Sequence, residues 1–88
     1  SYAMNKVLII EDDKEICFMI KDHLEKYNYQ VFFTFTGANA LERVKELTPD
    51  LIILDLMLPF ISGDELIRTI RKFYKCTCNC CFCKEFDI

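Results

Sequence analysis

The chain has 88 residues, a composition that is 52% hydrophobic and 28% charged, and a formal net charge of −3. These values exclude a disordered or low-complexity segment and allow at most one domain, which would bury roughly 60% of the surface that its unfolded chain exposes. The net negative charge indicates no large basic surface, so we expect no direct contact with nucleic acid. No apolar run approaches the roughly 18 residues of a membrane span, so we expect no membrane association.

The cysteines are distributed unevenly along the chain. The first 75 residues contain only Cys17, whereas five of the six Cys lie between Cys76 and Cys83. No basic region followed by a long apolar stretch marks a secretory signal at the N-terminus, so we predict a cytoplasmic chain. Residues 1–3 are interpreted as a cloning remnant before Met4.

The first half of the sequence predicts a strand, a helix and a second strand. Lys6–Ile10 is a short apolar, β-branched run, which is typical of strands buried on both faces. Asp12 and Glu15 have the spacing of a helix capping box, and apolar residues at helical spacing predict a helix over residues 13–27. The aromatic run that follows predicts a strand over residues 30–36.

The second half repeats this alternation of helix and strand. The predicted elements are a helix over 37–47 capped by Thr36, a strand over 51–54 that ends at Asp55, and a helix that begins with the capping pair Ser62 and Glu65. Strands that alternate with helices pair in parallel through right-handed crossovers, with helices on both faces of the sheet. The fold class is therefore α/β, a doubly wound parallel sheet of three or four strands.

Acidic side chains follow two of these strands. Glu11, Asp12 and Asp13 come directly after the first strand, and Asp55 ends the third. In a doubly wound sheet these strands can be neighbours where the strand order reverses, which would bring the carboxylates together at the carboxyl edge. Clustered carboxylates repel one another, and a hard cation such as Mg²⁺, bound through oxygen atoms alone, offsets the repulsion. Beside Mg²⁺, the Asp55 carboxylate could act as a nucleophile that accepts a phosphoryl group.

Two alternatives compete with this interpretation. Asp12 could merely cap a helix and Asp55 could merely end a strand, but their placement at the ends of two apolar strands favours a functional pair. A phosphohydrolase with an Asp nucleophile is disfavoured because Met57, and not a second acid, stands two residues after Asp55.

Two segments match the motifs of a known family. KVLIIEDD contains an acidic pair after the first strand, and PDLIILDLMLPFISGDEL contains Asp55 followed by Pro59 four residues later and Gly63 eight residues later. From Met4 to about Tyr74 the chain thereby resembles the receiver domain of two-component response regulators, which has a flavodoxin-like fold.

The resemblance implies a role for each matching residue. Asp55 would be the phosphoacceptor, Asp12 a direct Mg²⁺ ligand, Glu11 a ligand through water, and Met57 a ligand through its backbone carbonyl. Asp13 lies outside the acidic pair and would cap the first helix. The phosphoryl donor would be a sensor histidine kinase, and the Glu-first acidic pair is similar to that of the winged-helix transcription factors in the family. Such a chain modifies only itself and is not a turnover enzyme.

The resemblance stops near residue 75. A family receiver has five strands and five helices, with a Ser or Thr ending the fourth strand and a Lys ending the fifth, both of which hold the phosphoryl group. Neither residue is present here, and we expect Lys75 and Lys84 to lie in the wrong place to substitute. Residues 4–75 therefore resemble a truncated receiver. A switch-defective module that only binds Mg²⁺ or dimerises is the alternative function.

Residues 76–88 form an aberrant Cys-rich tail with three competing interpretations. Its C-x-x-C spacings could bind a soft metal, and its thiols could form disulfides. We favour the third, a frameshift, because codons for residues 76–84 read one base later permit VPVIVVSAK, a strand-four sequence with the missing Ser. Sequencing the parent gene tests this hypothesis, and an in-frame Cys cluster there would refute it.

The tail can still contribute to the sheet. Cys packs as a small hydrophobe, so we predict a fourth strand over about residues 76–82 beside the third strand. Without later strands an apolar edge would stay open, and open edges pair with other chains. We therefore predict a homodimer or a domain swap.

Overall fold

The computed structural model describes residues 5–73 and 81–84, with the side chains of residues 5–72. The elements in chain order are β1 (Lys6–Ile10), α1 (Lys14–Glu25), β2 (Gln30–Thr34), a 3₁₀ helix (Gly37–Asn39), α2 (Ala40–Leu47), β3 (Leu51–Asp55), α3 (Gly63–Phe73) and β4 (Cys81–Lys84). Every predicted element is present, although α1 and β2 each end two residues earlier than predicted. Within the described ranges, no helix has the length and apolar character needed to cross a bilayer.

The four strands form one parallel sheet in the order β2-β1-β3-β4. β1 lies between β2 and β3, so that Val7 is opposite Val31 on one side and Leu51 on the other. The chain adds β2 on one side of β1 and then β3 on the other, which makes the sheet doubly wound and flavodoxin-like, as predicted. The order reverses between β1 and β3, the position where ligands of open α/β sheets bind.

Helices cover both faces of the sheet, but unequally. The α2 and α3 side holds the larger core, whose fully buried members include Leu8, Leu54 and Ile70. The α1 side holds a smaller cluster around Ile9 and Cys17, against which several half-buried apolar side chains pack. Two helices exclude water from one face more completely than one helix does from the other.

Polar residues precede the helices, with two differences from the expected caps. Thr36 precedes the 3₁₀ helix but makes no side-chain hydrogen bond to it, so the cap expected for the helix over 37–47 is wrong, and that helix divides into the 3₁₀ helix and α2. Asp13, and not Asp12, is the N-cap of α1, and its Oδ1 accepts hydrogen bonds from the backbone N–H groups of Glu15 at 2.9 Å and Ile16 at 3.3 Å. The capping box expected for Asp12 and Glu15 is therefore wrong by one residue, whereas the capping role expected for Asp13 is confirmed. The shift leaves the Asp12 carboxylate available to the acidic cluster. At α3, the Ser62 Oγ accepts from the Glu65 N–H at 3.4 Å, as expected of a helix cap.

The fourth strand pairs in parallel with β3, as predicted, but it lies later in the chain. It spans Cys81–Lys84 rather than residues 76–82, and residues 76–80 lie outside the described part of the chain. The register places the Lys84 backbone opposite Asp55, at the carboxyl edge. That Lys84 lies in the wrong place to substitute for the family's lysine remains a prediction, because that lysine ends the fifth strand and Lys84 ends the fourth. Metal binding or disulfides in the Cys-rich tail remain predictions.

Candidate metal and phosphoacceptor site

Two neighbouring parallel strands deliver acidic residues to the same edge of the sheet. Ile10 of β1 is opposite Leu54 of β3, so Glu11 and Asp55 leave the two strands at the same level. After Lys6, both strands are apolar up to their carboxyl ends because the sheet is covered on both faces, and the first acids occur only where the strands end. The register therefore explains why residues 44 positions apart in sequence share one site.

The three predicted carboxylates come together. One oxygen atom from each of Glu11, Asp12 and Asp55 lies within 4.8 Å of the others. Glu11 is 3% exposed and Asp55 is 6% exposed, whereas Asp12 is open to solvent. Two of the three acids are thus buried, and the third faces solvent, where a cation can reach it.

Backbone N–H groups fix the two buried carboxylates. The Met57 N–H donates to Asp55 Oδ1 at 2.8 Å, and the Asp13 N–H donates to Glu11 Oε2 at 3.4 Å. The first bond closes an Asx turn directly after β3 and leaves Oδ2 of Asp55 for other partners. The sequence predicted a metal contact for the Met57 carbonyl but not this hydrogen bond of the Met57 amide. An Asp at the start of a turn could have indicated it.

Gly63 allows the loop after β3 to fold back closely behind the site. A Cβ atom added at Gly63 would lie 2.6 Å from the backbone Cα of Leu56. Contacts that short do not occur without a shift of the backbone, so any larger residue would displace Leu56 and its neighbour Met57. The Gly eight residues after Asp55 therefore supports the turn that orients the carboxylate.

The cluster changes the acidity of Glu11. Burial, together with side-chain hydrogen bonds to Asp55 and Asp12, raises the pKa of Glu11 from 4.5 to about 7, against the lowering effect of the Asp13 N–H. A raised pKa means that the metal-free cluster holds a proton near neutral pH. A bound cation would take the place of that proton, because both reduce the repulsion among the carboxylates.

The donor set fits Mg²⁺. All three side chains offer oxygen atoms, which are the ligands that hard cations prefer, and the exposed Asp12 leaves room for the water molecules that Mg²⁺ retains. Glu11, Asp12 and Asp55 are the side-chain ligands that the sequence predicted, and the structure brings all three together. Ligation by the Met57 carbonyl remains a prediction.

Comparison with known proteins gives the family. Residues 7–83 match the response regulator receiver domain. The chain is 45% identical over 69 residues to the response regulator ArlR of Staphylococcus saprophyticus, an alignment that covers 78% of this chain and 31% of ArlR. The chain belongs to the response regulator receiver domain family.

Solved receiver structures have the same fold. The chemotaxis response regulator CheY4 of Vibrio cholerae superposes with a TM-score of 0.75 and 30% identity, covering 82% of this chain and 64% of CheY4. The BeF3-activated N-terminal receiver domain of RstA from Klebsiella pneumoniae gives a TM-score of 0.74 and 37% identity, covering 77% of this chain and 58% of that one. The chain thus spans about a third of ArlR and about three fifths of these two structures.

Membership of the receiver domain family shows what general kind of protein this is. Receiver domains of response regulators accept phosphoryl groups from sensor histidine kinases and bind Mg²⁺ at acidic residues, and this chain has an acidic cluster at the carboxyl edge of its sheet. The protein is thus a signalling module of two-component systems.

Proposed function

We propose that this chain accepts a phosphoryl group on Asp55 from the phosphohistidine of a sensor kinase. The observation that carries the proposal is the convergence of Glu11, Asp12 and Asp55 within 4.8 Å at the carboxyl edge of β1 and β3. One Asp55 oxygen accepts the Met57 N–H, which orients the carboxylate and leaves the other oxygen for attack on phosphorus.

The transfer exchanges one bond to phosphorus for another. Asp55 Oδ2 forms the new O–P bond while the P–N bond to the donor imidazole breaks, and the electron pair stays on that nitrogen, which takes up a proton. Asp12, Asp55, Glu11 through water, and the Met57 carbonyl would hold Mg²⁺, which supplies positive charge to the phosphoryl oxygens. Glu11 forms no bond to phosphorus in this scheme, so its role is to hold Mg²⁺ through water and to share the negative charge of the cluster.

Incubation of the 88-residue chain with acetyl phosphate and Mg²⁺, followed by intact-mass measurement, tests the proposal. We expect a mass increase of one phosphoryl group that disappears when EDTA replaces Mg²⁺ and in the Asp55→Asn variant. Asp13→Asn is the matched control, because Asn still caps a helix and Asp13 lies outside the cluster. An Asp55→Asn variant that gains the same mass as the parent chain would refute the assignment.

A second candidate is a switch-defective module that binds Mg²⁺ and forms a homodimer or a domain swap. The motivating observation is that β4 pairs with β3 on one side and with no other strand among the residues described. An open parallel strand is a template for another chain. Light scattering at increasing concentration would then give a mass near twice the chain mass of 10.4 kDa, and a strictly monomeric mass would contradict it.

A further inference from the structure

At the opposite edge of the sheet, β2 pairs with β1 alone among the residues described, and the backbone groups on its outer side can be identified. The Gln30 N–H donates to the Asn5 carbonyl at 2.8 Å, and the Thr34 carbonyl accepts the Glu11 N–H at 3.2 Å. In a parallel strand, alternate residues direct both backbone groups to the same side. Gln30, Phe32 and Thr34 therefore bond to β1, and both backbone groups of Val31 and Phe33 point outwards. The Phe35 N–H also points outwards, because it lies opposite the Thr34 carbonyl in the same trans peptide. No strand among the described residues pairs with them.

A groove of about 480 Å³ lies beside the C-terminal end of this edge, between β2 and α2. Its strand side includes Phe33 and Phe35, both of which direct a backbone N–H group outwards. Its helix side includes Glu42, Arg43 and Glu46. Arg43 is already paired with Glu46 at 3.2 Å, so the helix wall has an excess of one negative charge. The groove therefore combines free backbone partners with an acidic wall.

The two faces beside this edge differ in chemistry. On the α1 face, the Phe33 and Phe35 rings lie 5.3 Å apart, and the Lys14 Nζ lies 5.1 Å from the centre of the Phe35 ring. On the α2 face lie the acids Glu42 and Glu46. Side chains alternate between the faces of a strand, so a strand added here would place apolar residues beside the rings and basic residues beside α2.

The groove leads into an apolar pocket beyond the end of β2. This second cavity, of about 390 Å³, shares Phe35 and Thr36 with the groove and is closed by Pro59, Phe60 and Ile61. Phe60 is fully exposed, although it is a large aromatic side chain. A chain segment lying along β2 could thus place one apolar terminal residue in this pocket.

We propose that the outer edge of β2 binds an extended peptide segment of another protein, one with basic residues on one face and apolar residues on the other, by β-strand addition. A second copy of this chain fits less well, because an antiparallel β2–β2 pair would bring two acidic α2 walls towards one another. The proposal concerns a surface separate from Asp55 and stands whether or not Asp55 is phosphorylated.

The probe is a capped octapeptide, KVKVKVKL, which alternates basic and apolar residues and ends in an apolar one. Titration into ¹⁵N-labelled 88-residue chain should shift the amide signals of Val31, Phe33 and Phe35 and slow their hydrogen exchange by about fivefold or more. The inward-facing amides of Gln30, Phe32 and Thr34 should keep their exchange rates. Unchanged exchange at the three outward amides would overturn the proposal.

Charge variants distinguish specific recognition of the peptide by α2 from general attraction of a basic peptide to a negatively charged protein. Glu46→Lys should weaken peptide binding about three- to tenfold at low salt, because it reverses a charge in the groove. Glu25→Lys is the matched control, since it breaks a similar surface ion pair on α1 outside the groove. Equal weakening by both variants would mean that net charge alone attracts the peptide, which overturns the proposal.

A further control tests the second-copy alternative. The signals of Val31, Phe33 and Phe35 should stay constant when the protein is concentrated without peptide. Shifts at these amides that rise with concentration, together with a doubled mass in light scattering, would assign the edge to self-association and overturn the proposal. The variant EVEVEVEL should bind about tenfold more weakly than the basic peptide.

Discussion

The carboxyl edge between β1 and β3 and the outer edge of β2 offer different kinds of interaction. At the carboxyl edge, buried strands end in Glu11 and Asp55, so the chemistry comes from side chains held by a fixed register. At the edge of β2, the free groups belong to the backbone, and the adjacent Phe33 and Phe35 side chains are only half-buried. The first region can orient a reacting atom, whereas the second can bind any suitable extended chain.

The difference in burial predicts a difference in stability. Leu54 precedes Asp55 and is 1% exposed in the larger core, whereas Phe33 is half-buried at the open edge. We expect Leu54→Ala to lower the free energy of unfolding by about 3 kcal/mol and Phe33→Ala by about 1 kcal/mol. Urea unfolding followed by circular dichroism measures both. Equal losses would show that the edge of β2 is as well packed as the site.

The second prediction concerns pH at the acidic cluster. The pKa of Glu11 rises from 4.5 in the unfolded chain to about 7 in the metal-free fold. Folding therefore favours the protonated form, and this stabilisation is complete below pH 4.5 and is lost as pH rises through 7. Without Mg²⁺, the free energy of unfolding should fall by about 2 kcal/mol between pH 5 and 8.5.

Urea unfolding at several pH values in EDTA measures this dependence. Glu11→Gln should remove most of this pH dependence, whereas Glu46→Gln, on α2 beside the edge of β2, should leave it in place. Added Mg²⁺ should stabilise the parent chain more at pH 8.5 than at pH 5, because binding releases the proton from the cluster. A parent chain whose stability is independent of pH over this range would contradict the assignment of the raised pKa to Glu11.

The smallest expected effects concern exposed polar side chains at the two regions. Asp13→Ala removes the cap of α1 beside the acidic cluster and should cost about 1 kcal/mol. Glu46→Ala removes the exposed ion pair with Arg43 beside β2 and should cost less than about 0.5 kcal/mol. Thermal unfolding measured side by side ranks the two variants, and a larger cost for Glu46→Ala would reverse the comparison.

Sequence periodicity was sufficient to locate the helices and strands but not to predict the residues at which they begin and end. Apolar runs and helical spacing located the strands and helices, because each element must bury one face or both. The cap of α1 was placed at Asp12 and lies at Asp13, since two adjacent Asp residues offer the same capping chemistry. The fourth strand was predicted too early because a run of Cys has no period that marks where pairing with β3 begins.

Sequence alone determined the alternation of strands and helices and the identity of the acids at the strand ends, since both follow from local composition. Tertiary structure decided which acids meet, because only the pairing of β1 with β3 brings Asp55 to Glu11 and Asp12. It also decided that Glu11 is buried enough to hold a proton near neutral pH. The open edge of β2 likewise depends on strand order, which is a property of long-range packing and of no single segment.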